Sequence, residues 1–227
     1  MYEQIQPGFG YPASCLVIGS SLSGKNRFIH SCFENWPQYC PSRPNLTKIL
    51  YFFDTWQRGY TDLKRNLGGV EIQFLQGPPT EENLVFDSPV NDNSAVCIVV
   101  DDLQHRLGKK GTGLIAQLFT VICHHRKAFI FMTVQDATTG KEDMQLIRKN
   151  SQYIALMASC GLNNTLSVLD KYYFSRHRNF LVNVADHVFE KLDRTYLIID
   201  NHLESGHFSK FRLWSGVGSE TVLFAPK

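Results

Sequence analysis

The chain has 227 residues, 43% hydrophobic and 19% charged, with a formal net charge of +2. That length supports one substantial core, the composition is that of a globular protein, and the near-neutral balance requires any nucleic-acid-binding face to be local. No apolar run approaches the roughly 18 residues needed to cross a bilayer, and the N-terminus has no charged leader followed by an apolar stretch, so a protein that is not secreted is expected.

Residues 1–12, with Pro7, Gly8 and Gly10, read as a loose lead-in. Ser14 to Ile18 (SCLVI) is a short apolar run entering a Gly/Ser turn, the form of a buried strand. Asn26 to Trp36 carries Phe28, Ile29, Cys32 and Phe33 near helical spacing, and Pro37 stops it. Lys48 to Phe53 (KILYFF) is a second strand, followed by a polar helical piece from Trp56 to Asn66. Val70 to Leu75 alternates like a strand and ends at Gly77-Pro78-Pro79. A polar loop then runs to Ser94. Ala95 to Val100 (AVCIVV) is a continuous apolar run ending at Asp101-Asp102, which suits a central parallel strand covered on both faces.

Leu114 to His124 reads as a helix, and Ala128 to Val134 (AFIFMTV) as another central strand, ending at Gln135. A short helix at Met144 to Lys149 and a strand at Tyr153 to Met157 follow. Asn164 to Arg176 and Phe180 to Leu192 read as helices and Tyr196 to Asp200 as a late strand. Residues 205–227 form a tail in which Phe211 to Trp214 and Thr221 to Phe224 suggest an edge hairpin. Strands alternating with helices give one α/β domain with a mostly parallel central sheet. Ligands of such sheets bind beyond the carboxyl ends of the strands, which selects the tips at Gly19, Asp101 and Gln135.

Gly19 to Asn26 reads GSSLSGKN, the G-x-x-x-x-G-K of a P-loop between a strand and a helix. Gly19, Ser20, Ser21, Leu22, Ser23 and Gly24 turn backbone N–H groups toward phosphate oxygens, Lys25 adds a full charge, and Arg27 follows in the first turn. Asn26 occupies the place of the hydroxyl residue that ligates Mg²⁺: either the cation binds through its amide carbonyl, a weaker neutral ligand, or through water, or hydrolysis is impaired. The plainer alternative is a Gly/Ser turn with a surface lysine.

Asp101-Asp102 after CIVV has the Walker B form. Asp101 would hold the magnesium shell and Asp102 would polarise the attacking water; a pair of helix-capping acids is the other reading. Gln135 would contact the γ-phosphate and the water, unless it is a loop amide, and Thr133 and Asp136 are lesser candidates. Arg126 and Arg148 are candidates for a finger reaching a neighbouring subunit's site. Lys109-Lys110, in GKKGTG, could meet a DNA backbone or simply form a solvated loop, and KYYFSRHR from Lys171 to Arg178 mixes basic residues with aromatics that suit core packing. Of the cysteines, Cys15 and Cys97 fall in strand runs, none pairs at C-x-x-C spacing, and Cys123 beside His124 and His125 lacks a second ligand pair for zinc. Reduced core thiols are expected.

The ordered set of segments resembles the FtsK/HerA-type genome-packaging ATPases of Polinton (Maverick) transposons, adintovirus-like elements and larger DNA viruses. SCLVIGSSLSGKN is similar to that family's P-loop. LYFFDTWQRGYTDLKRNLGGVEIQFLQGPP is similar to its strand leading through Trp-Gln to Gly-Pro, and VCIVVDDL to its Walker B. FTVICHHRKAFIFMTVQD, IRKNSQYIALM and YLIIDNHLESGHFSKFRL resemble its later helix, strands and tail.

The resemblance implies a RecA/FtsK-HerA-like P-loop NTPase using ATP and Mg²⁺. It would be a ring of identical subunits moving double-stranded DNA into a capsid, with weak, non-sequence-specific DNA contacts and a capsid or portal partner, in the host nucleus or cytoplasm or with the virion. Carried over, Lys25 is the phosphate lysine, Asp101 and Asp102 the Walker B acids, and Gln135 the sensor. Asn26 departs from the family pattern, as does Gly161, which stands about where an arginine is expected. A nucleotide-binding but hydrolysis-impaired scaffold or switch of the same fold is the alternative. Both readings place the phosphate tail between Lys25 and the aspartates, on adjoining strands of one sheet.

Overall fold

The computed structural model describes residues 8–84, 93–108, 113–137, 142–158, 178–191, 196–201, 213–215 and 222–224. The GKKGTG lysines, Gly161, the expected helix over 164–176 and most of KYYFSRHR lie outside these residues.

The strands are β1 (Ala13–Ile18), β2 (Asn45–Phe53), β3 (Glu71–Gln76), β4 (Ser94–Asp101), β5 (Phe129–Val134), β6 (Tyr153–Met157), β7 (Tyr196–Asp200), β8 (Leu213–Ser215) and β9 (Val222–Phe224). They form one sheet in the order β3-β2-β4-β5-β1-β6-β7-β8-β9. From β3 to β6 every neighbouring pair is parallel, and β7, β8 and β9 extend the sheet antiparallel. The tail therefore does end in an edge hairpin, made by β8 and β9.

The helices are α1 (Lys25–Glu34), α2 (Trp36–Tyr39), α3 (Arg58–Asn66), α4 (Leu114–Gln117), α5 (Cys123–His125), α6 (Glu142–Asn150) and α7 (Arg178–Lys191). Successive side chains of a strand point to opposite faces, and the central runs AVCIVV and FIFMTV are buried along their whole length. Val96, Ile98 and Val100 of β4 join Ile130, Met132 and Val134 of β5 on one face, under Ile115, Phe119, Met144, Ile147 and Val188. Cys97, Val99, Phe129 and Phe131 face the other way, under Phe28, Ile29 and Phe33 of α1 and Tyr60 and Leu63 of α3. Two apolar layers around one sheet explain why these strands show no polar alternation.

Three local features differ from the sequence reading. Pro37 does not simply end a helix. α1 stops at Glu34, and Pro37 sits in the first turn of α2, where its missing N–H costs nothing. The helix expected from Leu114 to His124 runs without interruption, but its middle, Leu118–Ile122 between α4 and α5, is a π-helical turn. The end of the lead-in is docked rather than loose. Phe9 is buried among the rings of Tyr39, Phe129, Phe131 and Tyr153, and Gly10 N donates to the Tyr153 hydroxyl at 2.7 Å. One aromatic residue in a Gly/Pro segment is a weak signal in sequence but fills a large pocket in the core.

The cysteines among the described residues are buried and free. Burial pushes the Cys123 thiol up to about 12 and the Cys40 thiol to about 11, so both are protonated and unreactive near neutrality. Among the described residues no helix is long and apolar enough to cross a membrane.

Candidate nucleotide site

Beyond β1 the chain turns tightly at Gly19, whose N–H donates to Val134 O at 3.1 Å. A Cβ on Gly19 would lie 2.5 Å from Ser23 Oγ and 2.8 Å from Met157 Cβ, so only glycine fits this approach to β6. Gly24 caps α1 with φ +94°, a left-handed conformation natural only to glycine. No side chain caps α1, and its first turn holds no acid, so its positive N-terminal end favours an anion. Lys25 Nζ reaches back to donate to Gly19 O and Ser20 O, each at 2.8 Å. The ammonium thus spans the mouth of the loop, held by neutral carbonyls that a phosphate would outcompete.

Asp101 ends β4 and is 2% exposed. Its Oδ2 accepts from Asn26 Nδ2 at 2.7 Å and from the Tyr60 hydroxyl at 2.5 Å, and its Oδ1 accepts from the Thr133 hydroxyl at 2.6 Å. Burial, and next the charge of Asp101, push the Tyr60 phenol far above its ordinary value, so it stays a donor. Thr133 Oγ1 also accepts from Asp102 N at 2.9 Å, which fixes the turn where Asp102, at φ +54°, leaves the strand. Asp102 itself is exposed, and its Oδ1 accepts from Gln135 Nε2 at 3.3 Å. Gln104 ties the two strand tips together: its Oε1 accepts from Gln135 N at 3.0 Å and Asp136 N at 3.4 Å.

These groups surround a cleft of about 350 Å³. Ser21, Leu22, Ser23, Gly24, Lys25, Asn26 and Arg27 line one side, and Asp101, Asp102 and Gln135 the other. Gly19 and Ser20 stand behind the lysine. One expectation needs correction. β1 and β4 are not adjoining, because β5 lies between them. The strand carrying Gln135 is inserted between the lysine loop and the acids, and all three tips still meet at one cleft.

The donor set suits a magnesium-bound triphosphate. Asn26 Oδ1 is buried with no hydrogen-bond partner, an arrangement that is costly unless a ligand satisfies it. Asn26 Oδ1 and the Asp101 carboxylate are the oxygens that would hold the cation or its waters. Arg126 and Arg148 do not line the cleft. Arg126 is exposed at the end of α5, just before the amino end of β5 and so at the opposite end of that strand from the cleft. Arg148 Nη1 donates to Ala137 O at 2.5 Å, securing the segment after Gln135.

Sequence reasoning missed Gln57, Tyr60 and Gln104. Gln57 Oε1 accepts from Asn26 Nδ2 at 2.9 Å and lines the cleft. The available signal was the pair of polar-ended residues just past the KILYFF strand, Gln57 and Tyr60, one helical turn apart.

No protein-family model matches the sequence, and no curated protein matches it. Among solved structures, the chain is similar to B204, the DNA-packaging ATPase from Sulfolobus Turreted Icosahedral Virus, with a TM-score of 0.50 at 15% identity over 86% of this chain and 94% of that one. It is also similar to the genome packaging NTPase B204 from Sulfolobus turreted icosahedral virus 2 in complex with ATP-gammaS, with a TM-score of 0.53 at 14% identity over 83% of this chain and 92% of that one. At this identity the likeness is one of fold, and the fold is that of a P-loop ATPase.

Proposed function

We infer that the protein is an ATP-dependent motor that moves double-stranded DNA into a capsid as a ring of identical subunits. The observation that carries the ATPase step is the convergence of Lys25, Asn26, Asp101, Asp102 and Gln135 on one cleft at the carboxyl ends of parallel strands. Lys25 leaves the Gly19 and Ser20 carbonyls for the outer phosphates. Asp101 and Asn26 would hold the magnesium shell, and the cation would supply charge to offset the phosphates. Asp102, exposed and in contact with Gln135, polarises the attacking water. The DNA step is supported by the likeness of fold to packaging ATPases, of which this chain covers 94% and 92%. With a net charge of only +2, the grip on the DNA backbone would be local and weak, without base reading, and shared among ring subunits.

ATP turnover measured with magnesium, with and without long double-stranded DNA, tests this reading. DNA should raise turnover, and Lys25→Ala should abolish it by a factor of about 100 or more through loss of phosphate charge stabilisation. Turnover indifferent to DNA would remove the motor. One observation favours a second reading, a hydrolysis-impaired switch: Asn26 turns its amide nitrogen, not an oxygen, to Asp101. Tight ATP binding without turnover would select it, and recovery of hydrolysis in Asn26→Thr would locate the defect.

A further inference from the structure

Two glutamines reach the cleft, from the strands on either side of β4. Gln135 follows directly on β5, and Gln57 stands on the connection from β2 to α3. They are held in opposite senses. Gln135 commits its amide nitrogen to Asp102 Oδ1, which leaves its carbonyl for the cleft. Gln57 commits its carbonyl to Asn26 Nδ2, which leaves its two N–H donors.

The orientation of Asn26 follows from charge. The same Nδ2 donates to Asp101 Oδ2 at 2.7 Å, and a carbonyl oxygen in that place would face a carboxylate. Asn26 therefore points its nitrogen at both Asp101 and Gln57, and Gln57 must offer its oxygen. The free end of Gln57 is a neutral double donor, which suits an anionic oxygen and repels a cation. Gln57 is bonded to the second residue of α1 through the same amide nitrogen that donates to Asp101 Oδ2, and so stands beside the acid side of the cleft. With the inner groups of a phosphate tail on the loop and the helix N-terminus, the outermost group would lie toward those acids.

We propose that Gln57 contacts the terminal phosphate and makes the site prefer a nucleoside triphosphate over a diphosphate, a role that rests on the nucleotide reading above. Asn26 is then a positioning residue for Gln57 as well as a cation ligand. The two glutamines divide the work: Gln57 donates to the phosphate, and Gln135 accepts from the water.

The test is calorimetric titration of the full chain, with magnesium, by ATPγS and separately by ADP. Gln57 is exposed, so Gln57→Leu and Gln57→Glu should both fold, which circular dichroism checks. Gln57→Leu should weaken ATPγS about tenfold or more, as expected for a lost hydrogen bond to a charged group, and leave ADP within about twofold. Gln57→Glu should weaken ATPγS further, by like-charge repulsion. Equal changes for the two nucleotides, or none, in both variants would overturn the assignment. Wild-type protein that bound neither nucleotide would instead remove the nucleotide site itself, and this role with it.

Discussion

Asp101 is held by three donors from three separate elements: Asn26 of α1, Tyr60 of α3 and Thr133 of β5. A buried carboxylate needs such partners, since an unpaired charge in the interior costs several kcal/mol. Tyr60 does this without being able to touch the nucleotide chemistry itself, so it is a positioning residue. Tyr60→Phe keeps the ring within its aromatic cluster with Tyr51, Phe53 and Phe74 and removes only the hydroxyl. Stability should fall by about 1.5–3 kcal/mol, the usual worth of a hydrogen bond to a charged group, read by urea denaturation. The magnesium concentration for half-maximal ATP turnover should rise several-fold as Asp101 loosens. A stability loss with unchanged metal dependence would make Tyr60 merely structural.

At the scale of elements, the phosphate loop is set by steric exclusion. Gly19 packs against Met157 of β6 and Ser23 of its own loop, with no room for a Cβ. Gly19→Ala must push β6 and the loop apart, at a cost of about 1–3 kcal/mol for overpacking. Because that displacement falls on the loop, nucleotide affinity should drop more than stability, and thermal melting with and without ATPγS separates the two effects: a variant whose ATPγS-induced rise in melting temperature matches wild type would contradict the argument.

Much of this level was legible beforehand. Apolar runs such as AVCIVV and SCLVI marked the central strands, and glycine, acid or amide at their ends marked the tips. The strand order was not legible. Nothing local says that β5 inserts between β1 and β4, because that depends on which apolar strands pair across long separations. The same holds for Gln57 and Tyr60, which meet Asn26 and Asp101 across 31 and 41 residues of chain. Phe9 was missed because glycine and proline around it signalled a loop, whereas its ring fills the base of the core.

At the scale of the whole molecule, the position of Arg126 decides whether one subunit suffices. It precedes β5, whose six residues lead up to Gln135 at the cleft, so it lies about 20 Å from its own phosphate site at the rise of an extended strand. No side chain spans that distance, and a role in hydrolysis requires a second copy of the chain. In a head-to-tail ring each subunit offers one face to its neighbour and receives a different one, which would carry Arg126 of one copy to the cleft of the next. Arg148 is less suited, since its guanidinium is already bound to Ala137 O within the chain. Subunit mixing tests this. Arg126→Ala and Lys25→Ala should each be inactive alone. In mixed rings, an Arg126→Ala subunit keeps an intact cleft and can borrow the arginine of a Lys25→Ala neighbour. Equal random mixing should therefore restore roughly a quarter of the sites. Full turnover by Arg126→Ala alone would show that the exposed arginine serves no site, its own or its neighbour's.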